Sequence, residues 1–222
     1  MKKLLTYYDC KIDVIQCTQN PNKMVRVASR ITQHRVDDYN TEVDKYSTKH
    51  LIKYILTANH TSIFEHCYIT VYITNVSRSV LAQITRHRMG SFTSASQHYQ
   101  EYDEYPNIMH ANMYKDPEVQ DLLESVDKCY KRLIASGVPK EEARQILPNA
   151  KAVNILWTVN ARSLINFLNL RLCERNIHEM VSFANKMRDV TIEWWPELFS
   201  LVDADCIMHK ECRQGRMSCG KY

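Results

Sequence analysis

Three arginine-bearing stretches carry most of the chemistry open to this chain. The densest is Gln83 to Tyr99, QITRHRMGSFTSASQHY. Arg86, His87 and Arg88 stand together, and Ser91, Thr93, Ser94 and Ser96 follow beyond Gly90. Guanidinium forks pair with phosphate oxygens, while hydroxyls and free backbone N–H groups take the oxygens that remain. A phosphorylated small ligand is one reading of this stretch. A solvated basic helix end is another, because Arg and Lys are favoured near helix C-termini. The second stretch, Ala143-Arg144-Gln-Ile-Leu-Pro148, offers one further cation. The third runs from Asn160 to Arg171 and sets Arg162, Asn166 and Asn169 at intervals of four and three. That spacing is a polar stripe on a helix, unusual because asparagine is a poor helix former. An exposed face or a contact with a partner helix would leave the same stripe.

The elements that must hold these residues follow from periodicity. Val76, Val80 and Ile84 recur every four residues, so a helix with Ser77 as N-cap leads into the first stretch, and Gly90 is expected to break it into a Ser/Gly-rich turn. Gln83 and Arg86 then share the polar side of that helix. Cys67 to Thr74 alternates cleanly, with Cys67, Ile69, Val71 and Ile73 on one face, and Val153, Ile155, Trp157 and Val159 give a second strand. Cys10 to Cys17 is a weaker one. Helices are expected over Met24 to Ile31, Asp44 to Ala58, Pro117 to about Ser136, Lys140 to Ile146, from Arg162 onward, and from Ile177 to Trp194. Thr32 to Asn40 and residues 100–116 read as loops, and Asn59 to Ser62 as a turn. The fold class is α+β: a small, mainly antiparallel sheet packed with several helices in a single domain. Residues 1–200 form the catalytic part and 201–222 a Cys/His-containing tail.

Composition narrows the partners. In 222 residues, 45% are hydrophobic and 24% charged, enough for one substantial core. A formal charge of +4 suits a small anionic substrate and gives no clustered basic face for nucleic acid. No apolar run reaches membrane-span length. The N-terminus, MKKLLTYYDCKID, is too polar for a signal peptide, so the chain reads as cytoplasmic. Cys10, Cys17, Cys67, Cys129 and Cys173 are scattered singly and read as reduced thiols. The tail places Cys206, His209, Cys212 and Cys219 together, but in none of the usual zinc spacings, so no metal is assigned.

Arg86-His87-Arg88, seven residues and then Ser96 resemble the RHR-x7-S signature of the flavin-dependent thymidylate synthases. Gln83 and Tyr99 fit as well. The resemblance extends upstream through His60-Thr-Ser-Ile-Phe-Glu-His66. Downstream it takes in Ala143 to Pro148, Trp157 to Leu164 and Asn166 to Arg171, in family order. It implies C5 methylation of dUMP to dTMP, with FAD as cofactor and methylenetetrahydrofolate and NADPH as co-substrates. It also implies a homotetramer whose sites are shared between subunits. By position, Gln83, Arg86, Ser94, Ser96, Gln97, His98 and Arg144 would hold the pyrimidine nucleotide. Arg171 would sit on the uracil ring as the catalytic cation, a guanidinium being always charged and preorganised. Ser62, Arg86, His87, Arg88, Asn160, Arg162 and Asn166 would hold the flavin. Arg171 lies about 140° from Asn166 on an ideal helix, so one helix would serve two faces. No cysteine falls within the arginine motif, which agrees with a family that uses no protein thiolate.

The chain departs from the family at two positions. Where the family usually has Asn-Glu-x-Ser-x-Arg-Tyr, this sequence has Thr93-Ser94-Ala95-Ser96-Gln97-His98-Tyr99. A carboxylate has become Ser94 and a guanidinium His98. A changed polar shell can change the base accepted, so flavin-dependent hydroxymethylation of dCMP or dUMP is an alternative. A non-catalytic nucleotide-binding relative is a second.

Overall fold

The sheet forms where the alternation is strongest, and its central strands lead directly into the two helices that carry the polar motifs. The computed structural model describes residues 5–6, 9–32, 47–96 and 105–221. In order these form β1 (Leu5–Thr6), β2 (Lys11–Cys17), α1 (Pro21–Ile31), α2 (Thr48–Thr57) and a 3-10 turn at Thr61–His66. Next come β3 (Tyr68–Ser77), α3 (Arg78–Ile84), β4 (Gly90–Ser94), β5 (Ile108–Met109), α4 (Ala111–Tyr114), α5 (Pro117–Ala135) and α6 (Lys140–Ala143), the last continued by a 3-10 turn, Arg144–Ile146. Then follow β6 (Ala152–Asn160), α7 (Ala161–Arg171), α8 (His178–Trp194), α9 (Pro196–Phe199), α10 (Asp205–His209) and a last 3-10 turn at Gly215–Met217. The architecture is α+β. A four-stranded antiparallel sheet has the order β2-β3-β6-β4, and β1 and β5 form a separate parallel pair.

β3 and β6 are the inner strands. On β3, Ile69, Val71 and Ile73 are fully buried, while Tyr68 and Tyr72 on the other face are exposed. On β6, Val153, Ile155 and Trp157 are fully buried. The Ala161 N–H donates to the Cys67 carbonyl at 2.8 Å, and the Thr70 and Thr158 hydroxyls meet at 2.9 Å, which fixes an antiparallel register. β2 is an edge strand, so Val14 and Ile15 stay exposed despite their apolar character.

The chain divides into two compact units. One comprises Met1–Asp13, Tyr72–Arg88 and Phe92–Trp157; the other comprises Val14–Val71, Met89–Ser91 and Thr158–Tyr222. In the first, Lys151 is wholly buried. Its ammonium donates to the Tyr105 carbonyl at 3.0 Å and pairs with Asp127 at 3.1 Å, which keeps a buried charge neutralised. In the second, Trp195 is the centre. Phe64 and Phe199 meet it edge-on, and its indole N–H donates to Asn22 Oδ1 at 2.7 Å.

Several boundaries differ from those expected of the sequence. α1 starts at Pro21 rather than Met24, because Asn20 caps it by accepting the Lys23 N–H at 3.0 Å. α3 stops at Ile84, so Arg86 and Arg88 follow the helix instead of standing on its last turn. The expected Ser/Gly-rich turn after them is strand β4. Phe92 stacks on Trp157 there, with ring centroids 5.7 Å apart, and that tertiary contact outweighs the turn preference of Gly and Ser. The stretch expected as an irregular loop over 100–116 holds β5 and α4, with residues 100–104 outside the described residues, as are 33–40 of the earlier loop and 44–46 of the helix expected before α2.

Candidate functional site

Two strand-to-helix junctions position the polar motifs, one reaching into each unit. At the end of β3 the buried Ser77 hydroxyl accepts the Val80 N–H at 3.3 Å and starts α3. Val80 and Ile84 bury one side of that short helix completely. Thr85 caps it, and the chain emerges as Arg86, His87 and Arg88. Arg86 and Arg88 are exposed, and among the described residues neither has a carboxylate partner. His87 and Gln83 are half-buried, as are Ser94 and Ser96. Arg144 belongs to the same unit and donates from Nε to the Glu141 carbonyl at 3.2 Å, which leaves its terminal nitrogens facing away from that bond. Gln97 and His98 lie outside the described residues.

The second junction ends β6. Asn160 Oδ1 accepts the Ser163 N–H at 2.9 Å and caps α7. Arg162 and Asn166 stand on the exposed side of α7, opposite the buried Leu164, Phe167 and Leu168. The 3-10 turn carrying the exposed Ser62 packs on this helix, and Arg162 pairs with Glu65 of that turn. A hydroxyl, an amide and a guanidinium are thus gathered on one surface of the second unit. Arg171 ends α7 half-buried. Its Nη1 donates to Asn176 Oδ1 at 3.2 Å, and the Asn176 amide donates to the carbonyls of Leu170 and Cys173, both at 2.9 Å. Asn176 therefore closes the helix and holds its last arginine at once.

Sequence reading missed Glu65 and Asn176, because neither stands at a motif spacing. It also passed over Arg78, whose Nη1 is buried with no hydrogen-bond partner among the described residues. All eight cysteines are free thiols. Burial pushes the Cys67 thiol up to about 12, which leaves it protonated and inert as a nucleophile.

Exposed guanidiniums without carboxylate partners, amide donors on a helix face and adjacent hydroxyls make a donor set for a phosphorylated, polyhydroxylated ligand. That is the chemistry of a nucleotide- and dinucleotide-binding protein. The family model described as thymidylate synthase complementing protein matches residues 13–197. The flavin-dependent thymidylate synthase of Geobacter sulfurreducens is 32% identical over 95% of this chain and 94% of its own. The one from Sulfolobus acidocaldarius is 31% identical over 90% of this chain and 79% of its own. This chain belongs to the flavin-dependent thymidylate synthase family. Among solved structures, a UMP/dUMP methylase, PolB from Streptomyces cacaoi, crystallised with 5-Br dUMP, superposes with a TM-score of 0.76. It covers 89% of this chain and 95% of its own at 23% identity, a likeness of fold. Among the described residues no helix is long and apolar enough to cross a membrane.

Proposed function

We propose that this chain methylates dUMP at C5 to give dTMP, with residues 1–200 as the catalytic part. The observation that carries the reading is the Arg86-His87-Arg88 motif, delivered past the end of α3 with two exposed guanidiniums free of carboxylates among the described residues. The donor set fits FAD. Arg86, His87 and Arg88 from one unit, and Ser62, Asn160, Arg162 and Asn166 from the other, would hold its phosphates, ribityl hydroxyls and ring edge. Reduced FAD supplies the hydride, methylenetetrahydrofolate the carbon, and NADPH the reducing equivalents.

The protein's own part is positioning and charge. Gln83, Arg86, Ser94, Ser96, Gln97, His98 and Arg144 bind the nucleotide, and the arginines neutralise its phosphate. Arg171 stabilises the negative charge that grows on the uracil ring as N3 loses its proton. Because Asn176 already fixes its guanidinium, little reorganisation remains for the reaction itself. Asn160 offers only its amide N–H to the cofactor, since Oδ1 is engaged as the helix cap. Arg162 must share its guanidinium with Glu65 or leave it. The assembly is a homotetramer in the cytoplasm, with sites completed by neighbouring subunits.

Anaerobic turnover of the FAD-loaded chain with dUMP and dCMP in parallel, products read by mass, tests the reading. dTMP from dUMP is expected, with no product from dCMP. A chain that binds FAD and both nucleotides yet yields no dTMP overturns it.

A further inference from the structure

The C-terminal tail holds its shape without a core. No residue from Asp205 to Lys221 is buried. The segment nevertheless turns sharply, with Lys210 at φ +54°, Gly215 at +54° and Gly220 at +78°. Segments too small to bury apolar surface are ordinarily stapled by a disulfide or a metal. The cysteines here are free. The remaining ties are polar and mostly exposed: Arg175 to Gln214 at 3.0 Å and Lys221 to Glu174 at 2.6 Å. Such contacts contribute little each.

A cavity of about 450 Å³ lies among this tail, the end of α7 and α8, all within the second unit. Four of the eight cysteines line it: Cys173, Cys206, Cys212 and Cys219. The other three all lie within electrostatic range of Cys206. The Cys212 sulfur receives hydrogen bonds from the Ser218 hydroxyl and the Gln214 N–H, donors that orient a thiolate. His209 is not on the wall; it is exposed, 3.4 Å from Asp205. Cys173, from a distant part of the sequence, takes the place that the tail spacing offered to His209.

We propose that Cys173, Cys206, Cys212 and Cys219 form a structural zinc site that clips the tail onto the end of α7. Four thiolates match the tetrahedral, soft-ligand preference of zinc and leave no open position for catalysis. The tetrathiolate–zinc unit carries two negative charges. Arg175 and Arg213 on the wall offset them, while Glu174 and Asp203 are already paired with Lys221 and Arg188. Among the described residues no three ligating side chains are gathered closely enough to hold an ion as they stand. Zinc therefore draws the thiols inward and releases their protons, so binding and tail closure are one event.

The test is zinc content of the full chain, purified under reducing conditions without added metal, by elemental analysis. It is followed by cobalt(II) exchange. About one zinc per chain is expected, and the cobalt form should show thiolate-to-metal charge-transfer bands together with a tetrahedral d–d band. The Cys206→Ser, Cys212→Ser double variant should lose the metal and the bands, and become cleavable by trypsin at Arg213 and Arg216. Cys129→Ser, outside the cavity, should keep both. A wild-type chain without zinc that also fails to take up cobalt overturns the proposal whether or not any variant folds. So does cobalt bound without thiolate bands, or a double variant that retains its metal.

Discussion

The junction at Ser77 and the junction at Asn160 are built alike and deliver their arginines differently. Each ends an inner strand, and each spends a side-chain oxygen on the third N–H of the helix that follows. α3 is seven residues long and ends before its arginines. Arg86 and Arg88 therefore leave the helix exposed, without carboxylates around them among the described residues. α7 is eleven residues long and carries Arg162 and Arg171 on itself, the first against Glu65 and the second against Asn176. A guanidinium left in water gains from a phosphate that arrives. A guanidinium already held in place gains less on binding but requires less rearrangement at the moment of reaction. The contrast assigns binding to the first junction and charge stabilisation to the end of the second.

The sharpest break would come at Arg171. Arg171→Ala is expected to lower kcat by about 10²–10³ while FAD content stays that of the parent, because the loss of one preorganised donor acts on the transition state. Near-normal kcat in a folded, yellow variant would remove Arg171 from the chemistry. Arg86→Ala tests the other junction. There FAD and dUMP affinity should each fall roughly 10- to 100-fold, as for the loss of charged hydrogen bonds worth ~1.5–3 kcal/mol. Titration of both ligands by fluorescence decides it, and unchanged binding of both would contradict the division of labour.

Asn176→Ala sharpens the claim that Arg171 is held in advance. It should reduce kcat about fivefold to tenfold, equivalent to one hydrogen bond of ~1 kcal/mol, with dUMP affinity nearly unchanged. An equal loss in affinity and none in kcat would make Asn176 a mere helix closure. The smallest effect belongs to Glu65→Gln. Its pair with Arg162 is about half exposed on both sides, so stability should change by less than ~1 kcal/mol. If Glu65 competes with the cofactor for Arg162, FAD should bind up to about fivefold more tightly in this variant. Weaker FAD binding would show instead that Glu65 holds Arg162 in its working position.

Much of this protein was legible in local sequence. Period-two alternation set β3 and β6, and both strands came out with their apolar face fully buried. Asp116 before Pro117 opened α5, and Gly137 at φ +88° closed it, as turn chemistry requires. The order of the arginine motifs was enough to identify the family. These signals are local because a strand's two faces, a helix cap and a left-handed turn each involve residues within a few positions of one another.

Tertiary contact decided the rest. Gly90 and Ser91 read as a turn, and Phe92 on Trp157 made them part of a strand. The arginine motif read as a helix end, and the early stop of α3 put it beyond one. Glu65 and Asn176, which fix the charged ends of α7, carry no motif of their own. Cys173 stood alone in the sequence, and folding placed it on the same cavity as three tail cysteines, while His209, from the middle of that tail, stayed in solvent. Spacing reports which residues share a face of one element. Which faces meet depends on packing between segments far apart in the chain, and no spacing records it.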